Sequence, residues 1–140
     1  MTRSVICVAV VAALFGCSQP PAGSPSGPGS DKIVLTGDQK ADWAQITALE
    51  DQAKAIVKTD GCANVGQCRT APVGSRACGG PRYYLVYCSA STDSAALFRK
   101  LDAVAAAERE YNTRYHVVST CEFRSPPKVA LSGGSCQAQQ

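Results

Sequence analysis

At 140 residues, 45% of them hydrophobic and with a formal net charge of +3, the chain has room for one domain of ordinary apolar content. So weak a positive balance excludes a nucleic-acid binder built on many phosphate contacts, and three Phe, one Met and one Trp exclude a large aromatic core. Eight cysteines in such a chain point to covalent cross-links that supplement a small core.

Met1-Thr2-Arg3 carries one positive charge, and Ser4 to Phe15 is an almost unbroken apolar run of twelve residues. A spanning helix needs about twenty apolar residues, so the run is too short to cross a bilayer and has the form of a secretory signal. It ends in Leu14-Phe15-Gly16-Cys17, which resembles the lipobox of bacterial lipoproteins. The resemblance covers residues 1–17 and implies that the signal peptide, residues 1–16, is removed and that Cys17 becomes the acylated, palmitate-bearing N-terminus. Phe15 departs from the smaller residue usual there. Several acyl chains anchor a protein stably, at about 0.8 kcal/mol per buried methylene. Ser18 in place of Asp implies sorting to the outer membrane, facing the periplasm or the cell surface.

Residues 17–31 read as the lipidated Cys and a tether. From Ser18 to Asp31, eleven of fourteen residues are Ser, Pro or Gly and none is aromatic or β-branched. Such a segment buries too little apolar surface to offset its ordering entropy, so a flexible spacer is expected.

The remaining residues, 32–140, form one domain by length. Thr36-Gly37-Asp38-Gln39 reads as a capping box with Thr36 as cap. After it Trp43, Ile46, Leu49, Ala53 and Ile56 or Val57 make a helical stripe, Glu50 and Asp51 a solvated face, and Gly61 the stop. A second helix starts at Thr92-Asp93, with Leu97, Leu101, Val104, Glu108 and Tyr111 on its apolar face, and frays near Asn112. Strands are predicted over Tyr83–Cys88, over Arg69–Val73 at a sheet edge because of Pro72, over His116–Phe123 and over Val129–Leu131. Gly133-Gly134 supplies a turn. The order gives an α+β fold, a small and mostly antiparallel sheet with the two helices on one face.

With Cys7 in the leader and Cys17 acylated, six cysteines remain: Cys62, Cys68, Cys78, Cys88, Cys121 and Cys136. An even number in an exported chain implies three disulfides. Short Gly- and Pro-containing segments favour Cys68–Cys78 and Cys121–Cys136, which leaves Cys62–Cys88; Cys62–Cys68 is the rival. No C-x-x-C occurs and His116, the one histidine, has no Cys pair at finger spacing, so no metal and no cofactor are expected.

Ala77-Cys78-Gly79-Gly80-Pro81, Tyr84-Leu85-Val86-Tyr87 and Ser119-Thr120-Cys121 together resemble small Cys-containing lipoproteins and exported domains of bacteria, a likeness that brings no chemistry with it. A likeness of Cys78–Cys88 to Kazal inhibitors fails on cysteine spacing. No nucleophile is paired with His116, and no G-x-S-x-G or phosphate loop occurs, so the chain is not read as an enzyme. Residues 61–90 carry Arg69, Arg76 and Arg82 with no acid, beside Tyr83, Tyr84 and Tyr87. Arg and Tyr favour binding hot spots, which makes Arg76, Arg82 and Tyr83 candidates for an envelope protein or an anionic glycan. The functional expectation is a membrane-tethered, non-catalytic binding or structural module. The alternative is a protease inhibitor presenting Ser75-Arg76-Ala77 beside Cys78.

Overall fold

Residues 31–139 are described by the computed structural model; the predicted leader, Cys17 and the tether as far as Ser30 lie outside them. The elements run α1 (Gln39–Lys54), a 3-10 turn (Val65–Gln67), β1 (Cys68–Val73), β2 (Tyr83–Cys88), α2 (Ser94–Arg114), β3 (Val129–Ser132) and β4 (Ser135–Ala138). The fold is α+β with antiparallel pairing. The expected single sheet is two separate ribbons, β1–β2 and β3–β4.

The cap of α1 is Asp38, which accepts from the Ala41 N–H at 2.9 Å, and not Thr36. Thr36 is drawn away because its N–H and hydroxyl both donate to Asp42 Oδ1 at 2.7 Å. The helix also stops earlier than its stripe suggested, at Lys54. Beyond it the chain is pulled extended: Lys58 C=O accepts from Cys88 N–H, Thr59 C=O accepts from Cys136 N–H, both at 2.7 Å, and Asp60 bridges to Ser135. Gly61 therefore sits past this extended stretch and does not cap the helix.

Asp93 caps α2 and accepts from the Ala96 N–H at 3.0 Å. The helix runs on to Arg114 and ends at His116, whose φ of 49° is left-handed. Val117 N–H then bonds back to Asn112 C=O at 3.0 Å, the six-to-one closure of a Schellman turn. Val117 packs on the core beside it. This closure is why the predicted strand over His116–Phe123 does not form. Residues 116–128 are irregular instead.

The β1–β2 ribbon is the middle layer. Its odd-numbered residues Ala71, Val73, Tyr83, Leu85 and Tyr87 pack on Ala53 of α1 and on Leu97 and Leu101 of α2. Its even-numbered Cys68, Val86 and Cys88 face Cys62, Val129, Leu131 and Cys136 on the other side. Alternation along a strand thus serves two apolar faces. A third cluster, with Leu35, Ile46, Leu49, Val104, Ala107 and Tyr111, joins the helices to each other. Trp43, expected in the core, is 37% exposed and lies at the rim against Tyr111.

Cys62–Cys88 forms as expected, but the other bridges are Cys68–Cys136 and Cys78–Cys121. The pairs Cys68–Cys78 and Cys121–Cys136 are ruled out by the ribbon. Cys68 is at its open end, opposite Cys88, while Cys78 is in the turn beyond Val73, about 17 Å of strand away. The β3–β4 hairpin likewise carries Cys136 to Cys68 and away from Cys121.

Candidate functional site

Glu50 was expected on a solvated face, yet it is 5% exposed, and Glu108 is 1% exposed. Both are engaged by Arg82. Its Nη2 donates to Glu50 Oε2 and lies 2.7 Å from Glu108 Oε1, while its Nε donates to Glu108 Oε1 at 2.8 Å. Tyr83 O–H donates to Glu50 Oε1, Lys54 Nζ lies 2.7 Å from the same oxygen, and Ser75 N–H donates to Glu108 Oε2 at 2.6 Å. Burial works against the charge of Glu50, but the bonds from Lys54, Tyr83 and Arg82 outweigh it and hold its carboxyl below the usual range. Burial, followed by the bond to Glu50, pushes the Tyr83 phenol up. Two of the three sequence candidates, Arg82 and Tyr83, thus bind the two helices to the central ribbon.

Arg76 is engaged differently. Its Nη1 donates to Thr120 C=O at 3.4 Å, its Nη2 donates to Glu122 C=O, and its Nε is buried with no partner. Cys78 N–H donates to Ser119 Oγ at 3.0 Å, beside the Cys78–Cys121 bridge. The β1–β2 turn and the irregular segment 116–128 are therefore joined by one disulfide and by Arg76. The three candidate residues do not form one open ligand face.

What this joint creates is a pair of adjoining depressions that share Tyr84, Glu122, Phe123 and Arg124. One, of about 470 Å³, runs between Tyr83-Tyr84 and residues 122–127; the other, of about 340 Å³, lies over Gly79-Gly80-Pro81. Phe123 is 89% exposed at their shared wall. Tyr84 O–H donates to Arg124 C=O at 3.2 Å, and Arg124 Nη1 donates to Arg82 C=O at 3.0 Å, so the segment is laced to the start of β2. Tyr84 stood in the Arg- and Tyr-rich stretch noted from the sequence, but Phe123 and Arg124 were not singled out; the available signal was an aromatic-cation pair just ahead of Pro126-Pro127.

Among the described residues, Cys62, Cys68 and Cys136 place their sulfurs within 4.8 Å of one another, the spacing of a metal cluster. All three are in disulfides, so none offers a thiolate. No described helix is long and apolar enough to cross a membrane. Comparison with family models, curated proteins and solved structures gives no match.

Proposed function

We propose that this chain is an envelope lipoprotein, anchored in the membrane through acylated Cys17, whose 32–140 domain is a non-catalytic binding module for an envelope protein or an anionic glycan. The lipobox-like Leu14-Phe15-Gly16-Cys17 and the Ser/Pro/Gly-rich stretch after it support the anchor. The observation that carries the binding role is Phe123, a large aromatic side chain left 89% exposed on a segment fixed by a disulfide. Aromatic side chains held rigidly in this way contribute binding area at little entropic cost. The charged groups around it are largely engaged in holding the scaffold, which fits a recognition surface better than acid–base chemistry.

The inhibitor alternative needs Arg76 to project toward a protease. Its guanidinium is instead committed to the carbonyls of Thr120 and Glu122, which counts against that role. Labelled palmitate should enter the wild-type protein in a bacterial host and not Cys17→Ser, which should accumulate as uncleaved precursor. Absence of label from the wild type contradicts the anchor. Stoichiometric inhibition of trypsin by the oxidised protein would favour the inhibitor.

A further inference from the structure

The outer edge of β2 is open over a short, bounded length. Register pairs Cys68 with Cys88, Thr70 with Val86 and Pro72 with Tyr84. Cys88 N–H leaves this ladder for Lys58 C=O, whereas the next residue, Ser89, donates inward to Gln67 C=O at 2.9 Å. Even-numbered residues of β2 thus turn their main-chain groups away from β1. Pro72, opposite Tyr84, has no N–H to offer, which agrees with that phase. No hydrogen bond within the described residues reaches the N–H or C=O of Tyr84 or Val86 from outside the ribbon. The free stretch is closed at one end by Arg124 on Arg82 C=O and at the other by Lys58 on Cys88 N–H.

Open strand edges are normally blunted by proline, charge or a covering segment. The β1 edge has Pro72 for this purpose; β2 has no equivalent between Tyr84 and Val86. The larger depression opens beside Tyr84, with Phe123 at its wall. We propose that this edge takes up an extended acidic peptide segment as an added β-strand, pairing with the main chain of Tyr84 and Val86. The inference rests on the binding-module reading and is independent of the lipid anchor.

Charge selects the occupant. Arg124 stands at one end of the edge on Arg82 C=O, Arg76 lines the adjoining depression, residues 61–90 contain no acid, and the nearby Glu122 is exposed and 3.6 Å from Arg124, a pair worth little in water. A second copy of this chain, paired antiparallel about a two-fold axis, would bring Arg124 toward the Lys58–Cys88 end of its image, where residues 61–90 hold no acid to receive it. An acidic strand meets the cations instead. In strand addition the main-chain bonds give affinity and alternate side chains give choice. Residues two apart on the partner would therefore bond Tyr84 and Val86, with an Asp or Glu near Arg124 and an apolar side chain on Phe123.

The test uses the oxidised full-length protein in detergent and a phage-displayed library of random linear heptapeptides. Selection is expected to enrich Asp or Glu beside an apolar residue. A synthetic peptide of the selected sequence should bind at least tenfold more weakly to Tyr84→Pro, which removes the outward N–H as Pro72 does in β1, and to Arg124→Glu. Amide exchange at Tyr84 and Val86 of the wild type should slow when the peptide is added, a readout that does not depend on the proline variant folding. The proposal is overturned by selection of no peptide, by a peptide that leaves both amides unprotected, by equal binding to Tyr84→Pro, or by a dimer closed through β2. A peptide that binds at other residues would contradict the strand edge and leave the binding module standing.

Discussion

Glu50 on α1 and Glu108 on α2 share one nitrogen, Nη2 of Arg82, at the start of β2. One side chain from the ribbon thus joins both helices, and two buried carboxylates are tolerated side by side because a cation stands between them. Breaking such a buried pair from one side is costly, since the charges left behind have lost both water and partner.

Arg82→Met should therefore lose about 3 kcal/mol of stability at neutral pH, even though Lys54 still reaches Glu50. The loss should shrink as the pH is lowered, because Glu50, left beside a second buried carboxylate without the cation that holds its carboxyl down, takes up a proton more readily. Urea unfolding at pH 7 and pH 5 measures both effects. An equal loss at the two values would mean that the two carboxylates do not repel each other.

Gly74 has a φ of +74°, and a Cβ there would stand 2.4 Å from Glu108 Oε2 and 2.7 Å from Arg82 Nε. Gly74→Ala adds about 1–2 kcal/mol of left-handed strain to displacement of that ion pair. A total loss of about 3 kcal/mol is expected in urea unfolding, and a change under 1 kcal/mol would show that the turn can move aside.

Acid should unfold the protein through Asp42. Burial pushes its carboxyl up, but the bonds from Tyr115 O–H, from Thr36 N–H and O–H and from Gly37 N–H outweigh burial and hold it well below the usual range. A carboxyl depressed in the folded state contributes fully above its unfolded pKa of about 4, and the contribution is lost as pH falls below that. Glu50 acts in the same direction. Thermal unfolding should be steady above about pH 5 and weaken steadily below about pH 4. Asp42→Asn should be less stable at pH 7 and show a shallower acid limb; an unchanged limb would contradict the assignment.

His116→Gly should stabilise the fold. The left-handed φ of 49° costs a residue with a Cβ about 1 kcal/mol that glycine avoids. The gain should appear as a melting temperature higher by several degrees, with the disulfide pattern unchanged. A lower melting temperature would mean that the His116 side chain itself holds the turn.

Much of this fold was legible because local chemistry and tertiary packing agree. Asp93 ahead of Leu97, Leu101 and Val104 reads as a capped amphipathic helix and forms one, and Tyr83–Cys88 has the β-branched and aromatic content of the strand it becomes. The failures lie where a specific partner, near or far in sequence, overrules the local preference. Thr36 looks like a cap until Asp42 captures it, and His116–Phe123 looks like a strand until Asn112 closes a helix end on its start. The cysteine pairing followed loop length and missed the ribbon that separates Cys68 from Cys78. At the site, Arg82 and Tyr83 were visible as residue types, but their carboxylate partners lie 32 and 26 residues from Arg82 in sequence, and no local spacing reveals them. Glu108 did carry a clue, a charge at a core position of a helical period.

The Cys78–Cys121 bridge should fix the wall of the β2 groove more than the core, since both cysteines are exposed. Replacing both by Ser is expected to cost about 2–4 kcal/mol and to open residues 118–127 to proteolysis ahead of either helix. Limited digestion with mass mapping reads this out. First cleavage within α1 or α2 would show that the bridge supports the whole domain.

The central claim, that β2 presents an open edge beside Phe123, is tested most directly by amide hydrogen exchange in the free protein. Tyr84 and Val86 should exchange fast, while Tyr83, Leu85 and Tyr87, bonded to β1, are protected in alternation with them. Protection at Tyr84 and Val86 equal to that of their neighbours in the free monomer would mean that the edge is already occupied, and would contradict the account.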